Sequence, residues 1–433
     1  MRDKVFTAEA AAAIGGPEWL ARRRAAAAAR VATIEWPTAH EEIWRYSRID
    51  EFDLSRYTPF AAEELGTPGD ERAPGGGPIA AEAGASAGLV VLRNGRVVHH
   101  ELDAAYESKG VVVAGIATLH EAVGAQLGRV VGPSEDAFTI LNDAFLAGGA
   151  YIHVPAGVVI EAPIVVVHWG EGDGRASFPR TFVHAERDSE ASVVERFVSA
   201  GDHFVDGVTE LDLAENARVK YLSVQEHGPR VWSIALQRAH LARNAVLRSS
   251  AIALGGDYAR LRSEALLAGE HSESESVAVY FGSGAQMLDF RTLQDHDAPR
   301  TQSDLLFKGA VEDTARSVYS GLVRLRKDAQ KADAHQTNRN LVLSEGAAAE
   351  SIPNLVIEAN DVKCSHGSTV GPIDDDQRYY LESRGVRPED AARLIVLGFF
   401  ADVLGRLPIP AMAERLADAV SDKVGRLGAG APR

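Results

Sequence analysis

The chain has one cysteine, Cys364, in 433 residues. No disulfide can form within it, and a disulfide-stapled secreted scaffold is excluded. Cationic residues are also scarce, with 45 Lys and Arg against 61 Asp and Glu and a formal charge of −16. That deficit argues against a nucleic-acid binder, which needs cations to neutralise phosphates, and against attachment to an anionic membrane surface. No apolar run approaches the ~20 residues of a membrane span. The segment Met1–Phe6 reads as lacking the apolar core of a secretory signal. The expectation is a soluble, cytoplasmic protein. The usual catalytic signatures are missing too. There is no G-x-x-x-x-G-K-[ST] loop, so the chain should not hydrolyse ATP by itself, and no H-E-x-x-H or C-x-x-C.

What is present divides the chain into five parts. Residues 1–60 read as an N-terminal helical region, with Pro17 opening a helix in an Ala- and Arg-rich stretch. Residues 61–88, rich in Gly, Pro and Ala, read as a flexible linker unable to bury enough apolar surface to offset its entropy. Residues 89–135 read as a mixed lead-in. It holds strands at Leu89–Leu92 and Val97–His99, a turn at Asn94-Gly95, and a helix around Ile116–Leu127.

From 136 to 373 short apolar or alternating runs recur between brief polar turns, with no convincing helix. Ala191, Ala217 and Ala245 close turns 26 and 28 residues apart, and Glu270–Glu273 falls one step further on. The echo then stretches to 42 residues before Ala315 in Glu312–Ala315. Strands repeating in the twenties indicate a β-solenoid, of roughly nine coils at ~27 residues each, rather than a sandwich with turns every 8–12 residues. Residues 374–433 read as a C-terminal helical region. Its block Leu394–Phe400 is apolar nearly all round, so Leu394, Leu397, Phe399 and Phe400 are expected to be covered by the last helix, at about 411–426, or by a partner.

Two clusters could carry chemistry. In Lys363-Cys364-Ser365-His366-Gly367, a regular strand projects Cys364 and His366 to one face, where thiolate and imidazole suit iron or zinc. The alternative is a structural thiol beside a hydrogen-bonded imidazole. One thiol cannot hold an iron–sulfur cluster alone, since a cluster usually takes four thiolates or equivalent donors. The pair is expected near the C-terminal end of the solenoid, on an outward and solvent-accessible face. His335, about one coil earlier, is a candidate neighbour. The second cluster, Asp289, Asp295, His296, Asp297 and Arg300, would fit a carbohydrate-active enzyme or a solvated turn.

Several blocks resemble the SufB/SufD family of scaffold subunits of the SUF iron–sulfur cluster assembly machine. They are Asp333–Leu341, Ser351–Leu355 and Asp361–Gly371, joined by His296–Ser303, Phe307–Gly309 and Tyr380–Gly385. Pro17–Leu20 and Glu42–Tyr46 are similar to the SufD side of the family, as is the Cys–Ser–His block. The resemblance implies a right-handed parallel β-helix between helical ends and a non-catalytic role. It implies pairing with SufB through the β-helix and docking of the ATPase SufC on the C-terminal helices. Cys364 and His366 then match residues at the SufB–SufD interface, where a nascent, transient cluster would form. His335 stands where relatives often carry Lys or Arg. Asp295–Asp297 becomes a structural turn. No G-x-G-x-x-G fingerprint for a flavin occurs, which leaves a flavin site shared within the complex open. The remaining alternatives are a purely structural clamp with all cluster ligands on SufB, and a β-helix carbohydrate-active enzyme.

Overall fold

The computed structural model describes residues 5–61, 64–65, 86–132 and 135–425. Between Ala150 and Gly371 the chain winds into a solenoid of about eight turns, each giving one strand to each of two sheets. The first sheet runs from Ala150–Val154 through alternate strands to Arg316–Leu325 and Ala348–Ile357. The second runs from Ile164–Glu171 to Asp333–Val342 and Lys363–Gly371. Successive coils pair in parallel, in steps from 26 residues (Trp232 to Tyr258) to 32 (Arg316 to Ala348).

The repeat is set at one corner. Asp188, Asn216, Asn244, His271, Arg300 and Lys331 all have φ between 57° and 62°. Asn and Asp tolerate this left-handed conformation because their short side chains bond locally. Here they also bond along the stack, Asn216 Nδ2 to Asp188 Oδ1 (2.7 Å) and Asn244 Nδ2 to Asn216 Oδ1 (2.9 Å). The turn after His271 is therefore at Arg300, 29 residues on. Glu312–Ala315 lies at the opposite corner, where Asp313 Oδ2 accepts from Gly284 N, and that is why the echo stretched. The expected nine coils become about eight for a similar reason. The steps are longer, and residues 137–145 form a helix.

That helix, Ala137–Phe145, corrects the expectation of pure strand from 136 onward. It is fixed by an Asp136–Thr139 capping box, and all nine of its residues are buried, so it has no polar face to show a period. The lead-in also differs from a separate module. Strands Gly88–Arg93 and Arg96–Leu102 form the expected hairpin, with Asn94 and Gly95 both at positive φ. Its first strand pairs with Ile164–Glu171, while Val112–Gly115 pairs with Ala150–Val154. At the N-terminal end both sheets thus finish in antiparallel edge strands. The expected helix over 116–127 shrinks to a 3₁₀ turn, Ile116–Thr118, and four residues, Glu121–Gly124. Gly124 lies so close beneath Trp19 that a Cβ would be 2.7 Å from the indole, and the N–H groups of Gly128, Val130 and Val131 go to the Glu210 carboxylate.

Most of the expected 61–88 linker lies outside the described residues; Leu65, Ala87 and Gly88 at its ends are buried. Helices Ala8–Ala13 and Glu18–Val31 and three 3₁₀ turns between Glu42 and Arg56 lie over the first sheet, around Trp44, Phe52, Phe138 and Phe204. At the other end come helices Asp375–Ser383, Pro388–Leu404 and Pro410–Gly425. Among the described residues no helix is long and apolar enough to cross a membrane.

Four histidines are buried among the described residues. Of these, His296 contacts Thr301 and Ser303, His227 contacts Ser199, and His203 contacts Ser177. Burial lowers their pKa values to about 4, 3 and 4 respectively. Each is neutral when folded and protonates near pH 6.5 when unfolded, so the unfolded state binds more protons below that pH. Stability is expected to hold above about pH 6.5 and to fall between about 6.5 and 4, by ~1.4 kcal/mol per pH unit for each histidine. Urea titrations across this range test it. A flat profile down to pH 4 would contradict neutral burial.

Candidate functional site

The C-terminal end of the solenoid is built unlike the N-terminal end. Strand Lys363–Gly371 pairs only with Asp333–Val342, and Ala348–Ile357 ends the first sheet. Two adjacent strands of nine and ten residues therefore leave one edge each unpaired among the described residues. Folded proteins usually blunt such edges, because unpaired N–H and C=O groups template pairing with another chain. Here Pro353 removes one donor from the open edge, which otherwise carries an apolar fringe: Val356, Ile357 and Val370 are all exposed.

Lys363 N donates to Ala332 O at 2.9 Å, fixing which backbone groups point into the ladder. By the two-residue period, Cys364, His366, Ser368 and Val370 direct theirs to the open edge. Their side chains alternate equally regularly. Cys364 aligns with Ala334 and His366 with Gln336, both fully buried residues of the preceding coil, while Ser365 aligns with exposed His335. The pair thus shares a face, but the inner one, which corrects the expected outward projection. An inward side chain is normally sealed by the next coil, and among the described residues nothing stacks on this one, so His366 is exposed. Cys364 is half-buried against the cluster of Val323, Leu325, Ala332 and Ala334. Burial and then the negative charge of Asp333 push its thiol pKa up. It is a thiol at neutral pH, and a metal must displace its proton to bind it.

His335 does not join the pair. Its ring lies on the opposite face, with Nδ1 2.6 Å from Ser365 Oγ and Nε2 2.9 Å from Asp333 Oδ1. Sequence reasoning missed the polar lining beneath the pair. The Gln336 amide, directly under His366, has no hydrogen-bond partner among the described residues. It occupies space that Gly321 provides, since a Cβ there would be 2.6 Å from its Nε2. Beside it, Tyr280 Oη donates to Asn340 Oδ1 (2.7 Å) and Asn340 Nδ2 to Asn338 Oδ1 (2.7 Å). Ser351 Oγ also donates to Asn338 Oδ1 (2.6 Å), and Ser368 Oγ to Ser351 Oγ (2.7 Å). The apolar interior becomes polar as it reaches the open end. The alternation Gln336, Asn338, Asn340 on an inward face was the available signal.

One thiol and one imidazole are too few for a cluster. Among the described residues no third metal-binding side chain groups with them. The arrangement can supply part of a ligand set to something docked on the edge.

The second cluster disperses. Asp289 is buried between Arg260, Arg291 and Tyr258. His296 is interior, and buried Asp295 pairs with Arg326, which also reaches Asp297. Among the described residues Asp289, Asp295 and Asp297 are all engaged by arginines, which lends the carbohydrate-enzyme alternative no support. The apolar C-terminal block is divided as well. Phe400 is 0% exposed and packs with Val396, Val403, Val420 and Val424 on the second sheet, so it is removed from any partner surface. The i, i+4 spacing from Val396 puts it on the covered face. Leu397 and Phe399 are partly covered, while Leu394 is 51% exposed. Lys308 anchors the helix, with Nζ 2.8 Å from Phe399 O and 2.6 Å from Asp402 Oδ1.

Family models agree in extent with this architecture. The SufBD core domain of SUF system FeS cluster assembly matches residues 168–399, and the SufBD N-terminal region matches residues 7–166. An iron–sulfur cluster assembly SufBD family protein of Mycobacterium tuberculosis is 32% identical over 296 residues, 66% of this chain and 73% of that one. The iron–sulfur cluster assembly protein SufD of Bacillus subtilis is 29% identical over 345 residues, covering 78% and 79%. SufD of Escherichia coli is 31% identical over 274 residues, covering 62% and 65%.

Proposed function

The chain belongs to the SufBD family of iron–sulfur cluster assembly proteins, and from that premise we propose that it is a non-catalytic scaffold subunit working on its SufD side. In this reading the open end of the solenoid pairs with a SufB partner, and Cys364 and His366 offer donors there to a nascent cluster, the cargo of the machine. The C-terminal helices dock the ATPase SufC, since the chain has no phosphate-binding loop of its own. The observation that carries the proposal is the asymmetry of the two ends: one edged by short antiparallel strands of seven and four residues, the other by two parallel strands of ten and nine residues beside an exposed imidazole.

The chemistry is consistent with a shared site. A half-buried thiol and an exposed imidazole, held two residues apart on a regular strand, are positioned before docking, which lowers the ordering cost of binding. Docking would remove water from His366 and bring Gln336 within the same enclosure, where an unpaired amide costs roughly 1–3 kcal/mol until a partner group satisfies it. The test is anaerobic purification of the tagged chain from its native cell, with identification of co-purifying proteins and measurement of iron and sulfide. A SufB- and SufC-containing complex carrying iron is expected. Recovery of the chain alone, free of iron under all conditions, would contradict the proposal.

The ATPase surface gives a separate prediction. Leu394→Glu places a charge on the exposed face of helix Pro388–Leu404 and should abolish SufC binding while leaving the thermal transition of the chain unchanged. Phe400→Glu should instead lower that transition, because it buries a charge in the chain's own core. Undiminished SufC co-purification with Leu394→Glu would move the docking site elsewhere.

A further inference from the structure

A second group of metal-binding side chains lies at the opposite end of the solenoid, on the outer face of the first sheet. His153 in strand Ala150–Val154 aligns with His184 in Arg180–Ala185, and His184 aligns with Asp212 in His203–Leu213. The flanking residues Ile152, Val154, Val183 and Ala185 point into the core. The histidines therefore face outward, half-buried. Their rings are parallel within 8°, with centroids 5.6 Å apart. Glu186, just past the end of the second strand, brings Oε1 to 3.0 Å from His153 Nε2, while its Oε2 accepts from Ala156 N at 3.0 Å. One ligand atom from each of His153, His184 and Glu186 lies within 4.8 Å of the others.

The surroundings orient these ligands. His184 Nδ1 is 3.0 Å from Asp212 Oδ2, which makes Nδ1 the protonated nitrogen and leaves Nε2 with its lone pair free. A carboxylate behind a histidine is the usual support of a metal-bound imidazole, fixing its tautomer and raising its basicity. Asp212 is itself held by His240 and Arg129, at 3.3 and 3.4 Å. The 3.0 Å gap between His153 Nε2 and Glu186 Oε1 is close to the ~3.3 Å that separates two ligands ~2.0–2.1 Å from a tetrahedral ion. A metal ion can thus replace the shared proton with little movement.

We propose that His153, His184 and Glu186 form a binding site for a divalent transition-metal ion, with at least one coordination position left open. Two imidazoles and one carboxylate suit zinc or ferrous iron, whereas calcium and magnesium prefer all-oxygen sets. Half-burial leaves the ion a path in, and the open position leaves room for water or an exchanging ligand. The site shares no residue with Cys364 and His366, and it stands or falls independently of the scaffold reading.

Cobalt(II) reports on it directly. The untagged full chain, stripped with chelator and carrying Cys364→Ser and His366→Ala, is titrated with cobalt(II) and then back-titrated with zinc(II). One cobalt(II) per chain is expected, with the visible ligand-field bands of a four- or five-coordinate ion, no thiolate charge-transfer band, and displacement by zinc(II). In that background His153→Gln and His184→Gln should each weaken binding more than about tenfold, and Asp212→Asn by roughly 10- to 100-fold through the supporting contact. The metal-free variants should keep the parent's circular dichroism and thermal transition, which separates a lost ligand from a lost fold. Stoichiometric binding that survives both glutamine variants, or its absence in the parent, would overturn the assignment.

Discussion

Replacing Glu210 with Ala is expected to destabilise the chain by about 3–5 kcal/mol, the range for breaking a buried ion pair from one side. Glu210 and Arg180 are both 0% exposed. Glu210 Oε1 accepts from Arg180 Nε and Nη2 at 3.0 and 2.6 Å. The same carboxylate takes the N–H groups of Gly128, Val130 and Val131 at 3.1 to 3.2 Å. Asp143, on the buried helix Ala137–Phe145, binds the other side of Arg180 and receives Arg23 from helix Glu18–Val31. Glu210 therefore joins the irregular stretch after Gly124 to the solenoid wall, and Arg180 links it through Asp143 to the N-terminal segment. Its loss leaves Arg180 with a single counter-charge and three backbone donors without an acceptor. Urea unfolding measures the effect, with Glu270→Ala as the control. Glu270 pairs with Arg300 on the surface, and such pairs contribute under about 1 kcal/mol. A loss below about 1 kcal/mol for Glu210→Ala would contradict the structural role given to this cluster.

Val370→Pro should weaken association with a SufB partner by roughly 10- to 100-fold, or ~1–3 kcal/mol, while the chain itself stays folded. The alternation from Lys363 directs the Val370 N–H to the unpaired edge, so proline removes a donor that the chain does not use internally. Proline is tolerated at such edge positions and cannot support pairing with an added strand. Thr369→Pro is the contrast. Its N–H points toward Asp333–Val342, so that variant should destabilise the chain as well. The comparison is read as binding affinity against melting temperature for each variant. Wild-type affinity for Val370→Pro would exclude edge pairing at this strand.

The solenoid was legible because its corners are chemically expensive. A left-handed residue in every coil selects Asn and Asp at Asp188, Asn216 and Asn244, and the spacing of those turns is the coil length. The signal faded where His271, Arg300 and Lys331 take the same conformation without the same chemistry. Helix Ala137–Phe145 was hidden because burial on every side erases amphipathic period. Residues 116–127 were misleading because the helix ends at Gly124 under Trp19, and the donors that follow, at Gly128, Val130 and Val131, go to a carboxylate some 80 residues away. At the site, the common face of Cys364 and His366 followed from the two-residue period alone. Which side of the sheet that face lies on required the register with Ala334 and Gln336. His153, His184 and Glu186 had no local motif joining all three: His153 and His184 are 31 residues apart in sequence and meet only because one coil stacks on the next. Similarly, composition could mark Leu394–Phe400 as needing cover, but not that Phe400 is covered by the chain itself.

The most direct test uses this chain co-expressed with the SufB and SufC partners proposed for it, comparing wild type with His366→Ala. Complex assembly is followed by size-exclusion chromatography, and cluster formation by anaerobic iron, sulfide and absorbance measurements. The account predicts that His366→Ala assembles with wild-type stoichiometry and loses most of its cluster, because the imidazole is exposed at the open end and is not part of the buried core. An intact complex that builds cluster at the wild-type rate would contradict it, and would leave this chain as a structural clamp with every cluster ligand on its partner.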